Sequence, residues 1–125
     1  MKEGLDLRNS FLMLNIDVVR FDIPKDSPSQ VAQRIDEALH QVDTSQNTVL
    51  RMVFTVTPSP GLLRKKTLNE FRDAVEPFRS RVRYACVENV LVVRNPAARA
   101  IARATLLFFK PQVPTRVVDR YFTQN

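Results

Sequence analysis

Two short apolar runs, Val82–Val87 and Thr115–Val118, flank an alanine- and arginine-rich segment that opens at Asn95-Pro96 and stops at Pro111 and Pro114. This spacing predicts strand, helix, strand, and it constrains the fold more than any other feature of the chain. Parallel strands need a crossover of a dozen or more residues, and such crossovers are right-handed almost without exception. Residues 81–119 are therefore expected to form one βαβ unit.

The upstream half repeats that grammar. From Phe11 to Ile23, Leu12, Leu14, Ile16 and Val18 share one parity, and Val19, Phe21 and Ile23 the other. The switch predicts either a long strand with a bulge or two strands joined by a tight turn near Asn15 to Asp17. Pro24 ends it. Ser27-Pro28-Ser29-Gln30 carries a helix start, with Ser27 as N-cap, Pro28 at the first helical position and Gln30 completing a capping box. Val31, Ile35, Leu39 and Val42 then mark one apolar face, with the sole histidine, His40, beside that stripe on the surface. Val49–Val56, apolar but for Arg51 and Thr55, suits a central parallel strand covered on both faces. After Thr57-Pro58-Ser59-Pro60-Gly61, a helix is expected over Thr67–Phe78. Thr67 and Glu70 would form its capping box, Leu68, Phe71, Val75 and Phe78 its buried side, and Pro77 its kink or end.

Val90–Val93 reads either as an extension of the Val82–Val87 strand or as the start of the next helix. The preferred start is Asn95 as N-cap with Pro96 following, which turns Ile101, Thr105 and Phe108 inward and puts Arg99 and Arg103, four residues apart, on one face. Leu106, Leu107 and Phe109 widen the apolar surface beyond what a one-sided helix needs, for the core or for a partner. The element order is β(β)αβαβαβ, an α/β fold with a mainly parallel sheet and flanking helices. At 125 residues and 44% hydrophobic content, residues 1–125 fit a single domain with its own core.

Several function classes find no support. With Gly4 and Gly61 as the only glycines, neither a dinucleotide fingerprint nor a P-loop is present, so no cofactor is implied. Nucleophile elbows and paired-carboxylate motifs are missing as well, and nothing points to an enzyme. One cysteine and one histidine leave the usual metal sites without ligands. Cys86, inside an apolar run, reads as a small buried hydrophobe rather than a nucleophile. No apolar run approaches the roughly 20 residues of a membrane span, and no signal peptide is apparent, so a cytoplasmic protein is expected. The net charge of +6 permits an anionic partner. Nucleic acid is disfavoured, because the chain lacks Trp and its aromatics fall in apolar patterns.

The order of elements resembles the STAS domain family, small α/β domains typified by bacterial anti-sigma-factor antagonists. The likeness spans most of residues 11–119, and Tyr84–Asn89, Arg99–Arg103 and Pro114–Val118 look like the second half of such domains. In phosphorylated members the loop after the central strand carries Asp-Ser-Ser-Gly-Leu, the first serine being the regulated one. Here the corresponding loop is Pro58-Ser59-Pro60-Gly61-Leu62, in which Ser59, Gly61 and Leu62 match and prolines take the other two places. The resemblance implies a non-catalytic interaction or regulatory module whose partner is another protein.

Elementary topology points to the same loop. Ligands of open parallel sheets bind beyond the carboxyl ends of the strands, where Thr57–Lys66 leaves the sheet. Ser59, Gly61, Arg64, Lys65 and Lys66 are accordingly the candidate partner-binding residues, together with the helix that follows. The competing class is a binder of an anionic ligand, nucleic acid or a phosphate-bearing molecule, through basic surface residues. The Thr115–Tyr121 strand comes last and can form a sheet edge, which leaves a homodimer open.

Overall fold

The fold is given by a computed structural model that describes residues 15–45, 47–61, 64–109 and 111–122. Its class is the expected α/β. Strands β1 (Asn15–Ile23), β2 (Thr48–Val56), β3 (Cys86–Val92) and β4 (Thr115–Val118) form one sheet in the order β1-β2-β3-β4, with every neighbouring pair parallel. Helix α1 (Pro28–Thr44) links β1 to β2, α2 (Lys65–Val75) and α3 (Arg79–Ala85) link β2 to β3, and α4 (Pro96–Phe109) links β3 to β4. Each crossover advances one strand in the same direction, so crossovers of one hand place the helices on one face. Side-chain parity agrees: Phe21 of β1 and Leu50 and Met52 of β2 share a core with Ile35 and Leu39 of α1, Phe71 of α2 and Val82 of α3.

β1 pairs with β2 residue by residue from Asn15↔Thr48 to Ile23↔Val56. The chain therefore passes straight through Asn15 to Asp17 as one long strand, with neither the tight turn of one reading nor, across Val18 and Val19 where the parity switches, the bulge of the other. Phe11 to Leu14 lie outside the described residues. α1 opens as its sequence dictates. Ser27 Oγ accepts from the Gln30 N–H at 3.2 Å while Gln30 Oε1 accepts from the Ser27 N–H at 2.7 Å, and Pro28 occupies the first turn. Val31, Ile35, Ala38 and Leu39 are buried, and His40 is exposed. Just upstream, Asp26 Oδ2 accepts the Asp22 N–H at 2.7 Å, and that bond, more than the nearby Arg34, holds the Asp26 carboxyl below its ordinary range.

The segment from Thr67 to Val93 departs from expectation in three places. α2 begins at Lys65, with Arg64 as N-cap and no side-chain cap, so Thr67 already lies inside the helix instead of capping it. Pro77 does end α2, through a 3₁₀ turn at Glu76–Phe78, but the chain then re-enters a helix. Val82–Ala85, expected to be strand, belong to α3, and the strand begins at Cys86 and runs through Val92. The reason is a stripe that was already helical: Phe71, Val75, Phe78, Val82 and Ala85 recur at spacings of four, three, four and three, and all pack against the core. Arg79, Arg81, Arg83 and Tyr84 stay exposed between them.

β3 carries a register shift against β2: Leu50 pairs with Cys86 and Arg51 with Glu88, so Val87 is the extra residue of a bulge. The bulge lets Cys86 and Leu91 both face the helices while Val90 and Val92 face away. On that second face Val53, Val90 and Val92 are buried, with Val18, Val118 and Tyr121 packed against them. Polar groups border the cluster. Arg51 Nε lies 2.7 Å from Glu88 Oε1 outside hydrogen-bond geometry, Arg116 Nη2 is 3.2 Å from the same oxygen, and Arg51 Nη1 is 3.4 Å from Tyr121 Oη. The Tyr121 hydroxyl is the chief reason the Arg51 guanidinium is held above its ordinary pKa. β4 is a sheet edge, as its place in the chain suggested, though only Thr115–Val118 are extended. Among the described residues no helix is long and apolar enough to cross a membrane.

Candidate binding slot

α1 seals its share of the sheet. Its own Ile35 and Leu39, and Phe21, Leu50 and Met52 of the sheet beneath it, are each no more than 3% exposed. The next stretch of the same face is different. α2 has no fully buried residue, and among the described side chains of α4 the innermost, at Ala98, Arg99, Ala102 and Leu106, are only half-buried. Between these two helices lies a slot of about 870 Å³.

Its floor is the sheet: Met52, Phe54 and Val56 of β2, Asn89 and Leu91 of β3, and Val93 just beyond. Phe54, Val56 and Leu91 remain half-buried. Phe54 is fixed in place by stacking on Phe21, ring centroids 4.7 Å apart and planes 14° from parallel, which ties the floor to the core under α1. On one side stand Leu68, Phe71, Arg72 and Val75 of α2, and on the other Ala98, Ile101, Ala102 and Thr105 of α4. Spacings of three and four on both walls make two apolar ridges. Leu68, expected on the buried side of its helix, is 50% and Ile101 66% exposed, large aliphatic side chains standing in water.

Hydrogen bonds set the rotation of α4. Asn95 Oδ1 accepts the Ala98 N–H at 3.0 Å, the expected N-cap. Arg99 Nη1 donates to the carbonyl oxygens of Val93 at 3.0 Å and Arg94 at 3.1 Å, and Arg103 Nη2 donates to that of Val117 at 3.1 Å. The shared face of these two arginines thus points at the end of β3 and at β4. Since residues along a helix turn by about 100° each, Ile101 and Thr105 swing away from that contact. Both were expected to point inward. They are exposed instead, on the slot side. Leu107 is 80% exposed, and the side chains of Phe108 and Phe109 lie outside the described residues.

The loop singled out from sequence leads to one end of this slot. Pro58 and Leu68 line it, whereas Ser59, Gly61, Arg64, Lys65 and Lys66, which lie between these two in the chain past the carboxyl end of β2, do not. Ser59 is half-buried, and Gly61, Arg64, Lys65 and Lys66 are exposed. A Cβ added at Gly61 meets nothing within 4 Å, so the turn does not sterically require glycine there. Leu62 lies outside the described residues. Arg64, Lys65 and Lys66 crowd the amino end of α2, whose first turn has no acidic residue, so three cations add to the positive end of the helix dipole. The floor and the α4 wall were not singled out from sequence; the excess apolar surface of residues 101–109 was the one signal that bore on them.

Cys86 is buried away from solvent, its Sγ donating to the Glu88 carbonyl at 3.2 Å, and burial pushes its thiol pKa up. Among the described residues no group of three or more His, Cys, Asp or Glu is placed to hold a metal ion. Comparison with protein-family models, curated proteins and solved structures finds no match.

Proposed function

We propose that this chain is a non-catalytic, protein-binding module of the regulatory kind that its likeness to STAS domains implies, and that its binding surface is the slot together with the loop Thr57–Lys66. One observation carries the reading: the apolar sheet face between α2 and α4 is left half-exposed although both helices present apolar ridges beside it. Fully burying a large aliphatic or aromatic side chain contributes about 1.5–3 kcal/mol. Phe54, Leu68, Leu91 and Ile101 are all partly wet, so together they offer several kcal/mol to a partner. Association costs about 4–15 kcal/mol, and burial in the slot offsets the lower part of that range.

Arg64→Glu, Lys65→Glu and Lys66→Glu combined, in the full chain used as bait in its native cells, are expected to reduce recovery of co-purifying partners several-fold. Recovery equal to that of the unchanged chain removes the loop from the surface.

A further inference from the structure

Resting on that reading, we infer that the partner presents a three-turn amphipathic α-helix with acidic flanks, laid lengthwise in the slot between α2 and α4. Shape argues for a helix. The two walls are helical ridges, and a third helix between them would pack by ridges into grooves and complete the layer over β2 and β3. α2 has 11 residues, which at 1.5 Å per residue is about 16 Å, room for apolar anchors at i, i+3 or i+4, and i+7. An extended segment does not suit the site. The floor is a sheet face and not an edge, so a strand laid there would have nothing to hydrogen-bond its backbone, whereas a helix satisfies its own.

Charge argues for acidic flanks. Arg64, Lys65 and Lys66, at the amino end of α2 and beyond the carboxyl end of β2, have no ion pair among the described residues, and Arg72 of α2, 3.5 Å from Asp73, and Arg79 at the start of α3 line the slot. Glu76 is the acidic residue among the described lining residues, and it lies 3.8 Å from Arg79. The same balance disfavours a second copy of this chain as occupant, because its own α2 would bring the same cations to the slot. Asp and Glu beside the apolar stripe, concentrated at the end that meets Lys65 and Lys66, complete the complement.

A library of random 16-residue peptides displayed against the whole protein tests this without knowledge of the native partner. The expected winners carry Leu, Ile, Phe or Met at i, i+3 or i+4, and i+7, with Asp and Glu between, and gain helicity on binding. Leu68→Arg and Ile101→Arg, both at exposed positions, should each weaken them by about tenfold or more. Circular dichroism and thermal melting that match the unchanged chain establish that these variants fold. Extended or basic winners, winners indifferent to both substitutions, or no enrichment at all overturn the helix. If native-partner recovery still depends on Arg64, Lys65 and Lys66 in those cases, the binding-module reading stands alone. If that recovery is unaffected as well, both fall.

Discussion

α1 and α4 are crossover helices of similar length, 17 and 14 residues, and they use their apolar faces in opposite ways. α1 has a reciprocal cap and sinks Val31, Ile35, Ala38 and Leu39 into the core, each at most 9% exposed. α4 turns Arg99 and Arg103 toward backbone carbonyls and leaves Ile101 and Leu107 in water. Helices of this length are marginal in water without tertiary burial. α4 replaces part of that burial with an alanine-rich sequence of high intrinsic propensity and with charged donors on the carbonyl oxygens of Val93, Arg94 and Val117. Amphipathicity alone therefore does not tell which way a helix faces. Two well-placed arginines can outvote an isoleucine, and the apolar face then becomes a surface.

The comparison is tested most harshly at Leu39, which is 1% exposed at the centre of α1. Leu39→Ala should cost about 2–5 kcal/mol, through lost transfer energy and the cavity left behind, read as a drop in the urea midpoint with an unchanged slope. A loss below about 1 kcal/mol would mean that α1 is not the anchoring helix, and the contrast with α4 would collapse. A smaller effect is expected at Ser27, whose hydroxyl accepts the Gln30 N–H. Ser27→Ala removes one half of the capping box and should cost about 1 kcal/mol. Ser27→Gly, which keeps the extended N-cap backbone accessible, should lose only a few tenths.

The same contrast explains how much could be read from the sequence. β1, α1 and β2 were legible because their signals are local and agree: alternation, a capping box, a period near 3.6, and prolines after β1, at the start of α1 and after β2. Val82–Val93 was not, because two devices overlap there. The helical stripe of α2 continues through Val82 and Ala85 past a proline that usually ends one, and the bulge at Val87 breaks the alternation of β3 just after it. The loop residues Arg64, Lys65 and Lys66 were found through a general rule about the carboxyl ends of parallel strands, which needs only element order. Phe54 and Leu91 were out of reach, since Phe54 looks like ordinary strand interior and Leu91 falls in a segment that reads as strand or helix, until the stance of α4 uncovers them. That stance depends on Arg99 meeting the carbonyls of Val93 and Arg94, and on Arg103 meeting that of Val117, 14 residues on.

The smallest effect should come from the residue that a hydrophobicity pattern would rank among the most important. Ile101 is branched, apolar and central in α4, yet 66% exposed. Replacing it with serine removes little buried surface, and exposed substitutions away from special features usually stay within about 0.5 kcal/mol. Ile101→Ser should therefore leave the urea midpoint almost where it was, while Ile35→Ala, at a position 3% exposed in α1, lowers it by about 2–5 kcal/mol in stability. A loss above about 2 kcal/mol at Ile101 would show α4 rotated inward in solution and the slot filled by the protein's own side chains. Near-neutrality combined with weaker peptide capture would separate the two uses of an apolar face within one chain: α1 spends it on folding, and α4 keeps it for a partner.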